Sequence, residues 1–270
     1  MEIIGYLASV MIGISLGLIG GGGSILTVPV LVYLFKIDPI TATAYSLFIV
    51  GSSSLVGAWP KYQQGNVNLK TAIIFGIPSI VAVFATRKWL VPAIPDTILH
   101  WGNWELSKSI SLMVLFSILM IIASFTMMKE KITEINVEVK KQIFNYPMIF
   151  LEGILVGILT GLVGAGGGFL IIPALVLLSK LPMKEAVGTS LVIIAAKSLI
   201  GFTGDLANQT MDWQLLLTIT FLAIIGIFIG DRLSKKIDGA RLKKAFGWFV
   251  LIMGIYIIVQ QLFFPLTRTH

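Results

Sequence analysis

Four consecutive glycines, Gly20–Gly23, interrupt an apolar stretch in GLIGGGGSILTVP (17–29), and a near copy, GLVGAGGGFLIIP, occupies 161–173. Each glycine costs a helix about 1 kcal/mol relative to alanine, so the run breaks any helix that enters it. A break followed by a fresh helix leaves unpaired N–H groups at a helix end with partial positive charge. That is an anion site needing no cationic side chain. The candidate substrate ligands are Gly21, Gly22, Gly23 and Ser24 in the first copy and Gly166, Gly167 and Gly168 in the second. Ser24 offers a hydroxyl donor that Gly168 lacks, so the two copies are not equivalent. Pro29 and Pro173 have no N–H and should begin or kink the short helix after each break. The competing reading is packing alone, because Gly13, Gly17 and Gly21, like Gly153, Gly157 and Gly161, form faces of small residues four apart.

Lys197 lies well inside another apolar stretch, where a charge usually faces a cavity or a partner. It can be the fixed cation for an anionic substrate. Alternatively it snorkels to the nearer end, or pairs with Asp205 two helical turns on. Ser46, Ser53, Thr189 and Ser190 are candidate hydroxyls along an anion path; the structural alternative is bonding to backbone carbonyls. No aspartate or glutamate is expected clearly inside a span, so no carboxylate relay is evident and a coupling ion, proton or sodium, stays open. The chain has no cysteine and only His100 and His270. This argues against an intramembrane enzyme, a metal site or any cofactor.

Only a membrane accommodates the remaining residues. Of 270 residues, 56% are hydrophobic and 12% charged, with mean hydropathy +0.94; a soluble domain carries about 25% charge. The net charge of +7 does not indicate nucleic acid, since Lys and Arg fall between apolar segments. The N-terminus has no basic n-region, so its first helix is expected to be retained. Apolar segments are read at Ile3–Gly20, Ser24–Phe35, Ala42–Trp59, Leu69–Thr86, Lys108–Met127, Met148–Gly164, Gly168–Ser179, Ala186–Thr203, Trp213–Gly230 and Lys244–Phe264. Most can cross a core of about 30 Å. Ser24–Phe35 and Gly168–Ser179, at about 18 Å of helix each, cannot.

The two short segments belong to a repeat. Pairing each residue with the one 144 positions later aligns 13–57 with 157–201 without a gap and gives 20 identities, among them Gly20/Gly164, Pro29/Pro173 and Ser46/Ser190. Internal repeats in membrane proteins mark transporter folds. If each short segment forms a hairpin with the helix before it, three spans follow in each half and the second half is inverted. That arrangement collects 14 Lys and Arg residues on one side against 5 on the other, whereas a single crossing gives 12 against 7. The positive-inside rule favours the hairpin, with both termini on the outer side. Eight or ten membrane segments fit equally. The expected organisation is a first transmembrane repeat (1–128), a charged cytoplasmic linker (129–146) and a second repeat (147–270) in one membrane domain. Residues 88–107 read as an outer loop with Trp101 and Trp104 at the interface. The fold class is an all-α integral membrane bundle of two inverted repeats, with glycine-broken short hairpin helices at the midplane.

The doubled glycine elements, each followed by Ala-x-x-x-Ser-Leu (Ala42–Leu47 and Ala186–Leu191), resemble the sulfite exporter TauE/SafE family over nearly the whole chain. The resemblance implies transport of sulfur-containing anions across the bacterial inner membrane, with Gly20–Ser24 and Gly164–Gly168 as central elements. A secondary transporter working by alternating access is expected, with a small anion and the lipid bilayer as partners. An anion channel of the same fold and a membrane scaffold are the alternatives.

Overall fold

Side chains that close the first turns set the helix starts. Asp38 accepts the N–H of Ile40 at 2.9 Å ahead of Pro39, which needs no partner at the first helical position. Asn68 accepts the N–H of Thr71, and Asp212 that of Leu215. These last two caps stand 144 residues apart.

The structure, a computed structural model, describes residues 2–21, 23–101, 104–129, 146–164, 166–177, 181–206, 210–234 and 239–263. The first half contains α1 (Glu2–Ile19), α2 (Gly23–Pro29), α3 (Pro39–Gln63) and α4 (Leu69–Ala85). A short turn α5 (Val91–Ala93), the strands β1 (Thr97–Trp101) and β2 (Trp104–Ser107), and α6 (Lys108–Lys129) complete it. The second contains α7 (Tyr146–Val163), α8 (Gly168–Leu177), α9 (Met183–Thr203), α10 (Trp213–Ser234) and α11 (Gly239–Phe263). The starts of α1 and α7, α3 and α9, and α4 and α10 all keep the spacing of 144, which extends the repeat beyond the aligned glycines. The spacing is lost afterwards, because the first half places the antiparallel β1–β2 hairpin between α4 and α6, whereas in the second half α11 begins only five residues after α10 ends. Residues 88–107 are therefore not simply a loop: α4 continues through a π turn (Thr86–Leu90) into α5, and the hairpin follows. Of the expected linker 129–146, Lys129 ends α6, Tyr146 begins α7, and residues 130–145 lie outside the described residues.

After Pro29, α2 passes into a π turn at Val30–Leu34, as expected where a missing N–H disturbs the ladder. The Phe35 ring returns to the start of α1, against Gly5 and 5.5 Å from the Tyr6 ring. The pair α1–α2 therefore forms a hairpin that begins and ends at one end of the bundle.

The halves interlock. The Asn68 N–H donates to the Thr189 hydroxyl at 2.9 Å, and the Asp212 N–H donates to the Tyr45 hydroxyl. Both partners of the second bond are the repeat equivalents of the first. In the same way α1 packs on α10 and α7 packs on α4. Gly13 meets the backbone of Ala223 and Ile227, and Gly226 that of Val10 and Gly13. Their counterparts Gly157 and Ala82 touch each other. The packing reading of the spaced glycines therefore holds for these faces. At the centre, α3 and α9 run antiparallel: Leu47 lies near Gly201, Gly51 by Leu199 and Gly57 near Leu191. The outer surface is apolar, with Leu7, Trp59, Val81 and Phe221 each more than half exposed. Five helices are long and apolar enough to cross a membrane, and four further apolar helices are shorter, counted over the described residues. The chain is an all-α, multi-pass membrane protein.

A Cβ at Gly13 would fall on the Ala223 carbonyl, backbone that cannot rotate away. Gly13→Val is expected to cost about 3 kcal/mol by overpacking, lowering the melting temperature in detergent by roughly 6–12 °C. Leu7→Val, on the exposed face of the same helix, should leave it unchanged.

Candidate functional site

The two glycine breaks touch. A Cβ on Gly21 would stand 2.5 Å from the Gly168 carbonyl carbon, and one on Gly168 2.5 Å from Gly21 Cα. Gly20 (φ 76°) and Gly164 (φ 70°) end α1 and α7 in the same left-handed conformation, which residues with a Cβ rarely adopt. Each then passes the start of a central helix in the opposite half, Gly20 at Val187 and Gly164 at Thr43, again repeat equivalents.

Polar groups collect at the second break. Lys197 is fully buried in α9, and its Nζ donates to Thr160 Oγ1 at 3.1 Å. The Thr160 hydroxyl in turn donates to the Gly157 carbonyl at 3.2 Å. A Cβ on Gly167 (φ 66°) would stand 2.7 Å from Lys197 Nζ and collide with Thr160. One on Gly166 would stand 3.3 Å from Ser198 Oγ, a buried hydroxyl with no hydrogen-bond partner among the described residues. Immediately beyond, α8 begins at Gly168 with its first-turn N–H groups. Among the described residues no carboxylate lies within ion-pair distance of Lys197. The cluster is thus a lysine amino group, a hydroxyl and a positive helix end, with no negative group opposite them among the described residues.

The other candidates divide. Gly23 is pressed against Ile12 and Leu16 of α1, and the Ser24 hydroxyl donates to the Gly21 carbonyl at 2.6 Å, inside its own break. Ser190 donates to the Val187 carbonyl and, at 3.4 Å, to that of Gly20. Ser53 is bonded back to Ile49, and Thr189 holds Asn68. Ser46 is buried with no partner among the described residues. Gly22 lies outside the described residues.

Three expectations need correction or supplement. Asp205 does not reach Lys197; it pairs with Arg87 at 3.3 Å. Burial pushes the Asp205 carboxyl up, and Arg87 beside it pulls it down. Arg87 itself, one residue beyond the expected span Leu69–Thr86, is fully buried because the helix runs on past it. A carboxylate does occur within a helix: Glu152 lies on the second turn of α7, its oxygens enclosed and without a hydrogen-bond partner among the described residues. Thr160 and Ser198 join the site only in the structure. Thr160 replaces Leu16 of the first half, as Lys197 replaces Ser53, and these paired departures from the repeat were the available signal.

The sequence model of the family described as "Sulfite exporter TauE/SafE" matches residues 5–257. The chain belongs to the TauE/SafE family. This TauE/SafE protein is 27% identical over 252 residues to a probable membrane transporter protein of Xylella fastidiosa, covering 92% of this chain and 91% of that one. It is 28% identical over 248 residues to the probable membrane transporter protein YdhB of Bacillus subtilis, covering 92% and 96%. It is also 35% identical over 116 residues to the probable membrane transporter protein MJ0441 of Methanocaldococcus jannaschii, covering 41% and 43%. No solved structure matches the chain significantly. Its TauE/SafE membership makes it a membrane transporter.

Proposed function

We propose that the protein is a secondary transporter that carries a small, sulfur-containing oxyanion across the bacterial inner membrane by alternating access. The observation that carries this reading is the fully buried Lys197 amino group beside the break at Gly166–Gly168 with no carboxylate opposite it among the described residues. A buried cation without a counter-charge is strongly disfavoured, and the positive end of α8 adds to the deficit. An oxyanion held between them supplies the missing charge and accepts from the Lys197 ammonium, from Ser198 and from the N–H groups of Gly168 and Phe169, since those of Leu170 and Ile171 already donate to the Gly167 carbonyl. The sulfur class rests on the family description.

The halves are inverted in the membrane, with both termini on the outer side. The α1–α2 hairpin and the antiparallel pairing of the equivalent helices α3 and α9 support this arrangement. Movement of one half against the other then exposes the site to each side in turn.

Thermal stability of the detergent-purified protein against sulfite, thiosulfate, sulfate, sulfoacetate, phosphate, nitrate and acetate tests the reading. A ligand present at 100 times its Kd stabilises the folded state by about 2.7 kcal/mol. A selective rise with one sulfur oxyanion is expected. Equal behaviour with every anion would sink the assignment.

A further inference from the structure

The repeat places two ion pairs at equivalent positions with their charges exchanged. Lys61 Nζ contacts Asp231 Oδ1 at 2.6 Å, and Arg87 Nε contacts Asp205 Oδ2 at 3.3 Å. Lys61 and Asp205 are 144 residues apart, at the ends of α3 and α9; Arg87 and Asp231 are also 144 apart, towards the ends of α4 and α10. Each pair joins one half of the molecule to the other. Because α3 and α9 are antiparallel, the pairs sit at opposite ends of the central helices. Lys61 borders a narrow cleft with Gly57 and Leu191, whereas Asp205 follows Gly201, beside which Leu47 lies.

The two ends are in different conditions. The Lys61 and Asp231 side chains are 13% and 18% exposed, while Arg87 and Asp205 are 0% and 3% exposed. The Arg87 guanidinium nitrogens make no hydrogen bond among the described residues; the contact with Asp205 is an ion pair only. An ion pair in such surroundings gains in Coulomb attraction about what it loses in desolvation, so joining and parting are nearly balanced. A contact of that kind suits a junction that must open and close repeatedly.

We propose that Lys61–Asp231 and Arg87–Asp205 are the two latches of the transport cycle, one closing each end of the path, and that the structure, in which both pairs are formed, is the state closed at both ends. This rests on the alternating-access reading above. Parting of one latch lets its end open while the other holds, so the charge exchange keeps both junctions attractive within a repeated fold.

The chain contains no cysteine, so single probes can be introduced without background. Leu191→Cys reports on the Lys61 end and its repeat equivalent Leu47→Cys on the Arg87 end; both leucines are buried. Labelling by a membrane-impermeant maleimide is followed in proteoliposomes, alongside thiosulfate counterflow. Arg87→Gln with Asp205→Asn should raise labelling at Leu47→Cys at least tenfold, leave or lower that at Leu191→Cys, and slow counterflow. Arg87→Asp with Asp205→Lys copies the opposite latch and should return labelling to the starting rate. Removing Lys61–Asp231 in the same way should raise labelling at Leu191→Cys instead. Unchanged labelling, or an equal rise at both probes, overturns the latch even if the starting protein shows counterflow. End-specific labelling in a protein without thiosulfate counterflow supports the latch and counts instead against the substrate reading.

Discussion

Gly167→Ala is expected to reduce oxyanion flux in proteoliposomes by about 100-fold, the cost of roughly 2.7 kcal/mol of lost binding. Two effects combine. The backbone at Gly167 has φ 66°, which a residue with a Cβ adopts at a cost of about 1–2 kcal/mol. The new methyl also collides with Thr160 and comes 2.7 Å from Lys197 Nζ, displacing the cation of the proposed site. Gly65→Ala separates these effects. Gly65 has φ 72° but lies in an open turn with nothing within 4 Å of an added Cβ. It should lose similar stability and keep its flux. Combining Gly167→Ala with Thr160→Ser removes the methyl that the new Cβ strikes, and should recover part of the flux. Full flux in Gly167→Ala, measured with equal protein in the membrane, would place the transported anion elsewhere.

Lys197→Met should lose anion binding while remaining folded. A hydrogen bond to a charged group contributes about 1.5–3 kcal/mol, so affinity should fall roughly 10- to 150-fold. Stability should stay level or rise, because an uncompensated buried charge is replaced by an apolar side chain of similar length. The Thr160 hydroxyl retains its bond to the Gly157 carbonyl in the variant. Melting curves with and without thiosulfate provide the measurement. A large fall in melting temperature with anion binding intact would make Lys197 a structural residue and remove the cation from the site.

The class of protein was legible because lipid selects composition and segment length directly. Runs of about 18 apolar residues admit few other solutions, and repeated glycine runs mark where such helices must break. The offset of 144, read over 13–57, continues in the starts of α1, α3 and α4 and their counterparts. Beyond α4 it fails, and the β1–β2 hairpin carried no signal strong enough to separate it from a surface loop. Glu152 is not legible in the sequence as a buried carboxylate, because one charge does not alter the apolar character of α7.

The sequence by itself determined a membrane-embedded helical protein, its doubled organisation, the positions of both breaks and the presence of a charge within an apolar helix. These follow from local composition and periodicity, which act along the chain. Only the tertiary structure decided that Gly21 meets Gly168, that Lys197 bonds to Thr160 across 37 residues, and that Asp205 belongs to Arg87 instead. Which donor reaches which acceptor depends on how α7, α4 and α9 cross. That crossing is set by close packing of small residues between helices, a property of surfaces brought together in space that no single stretch of chain contains.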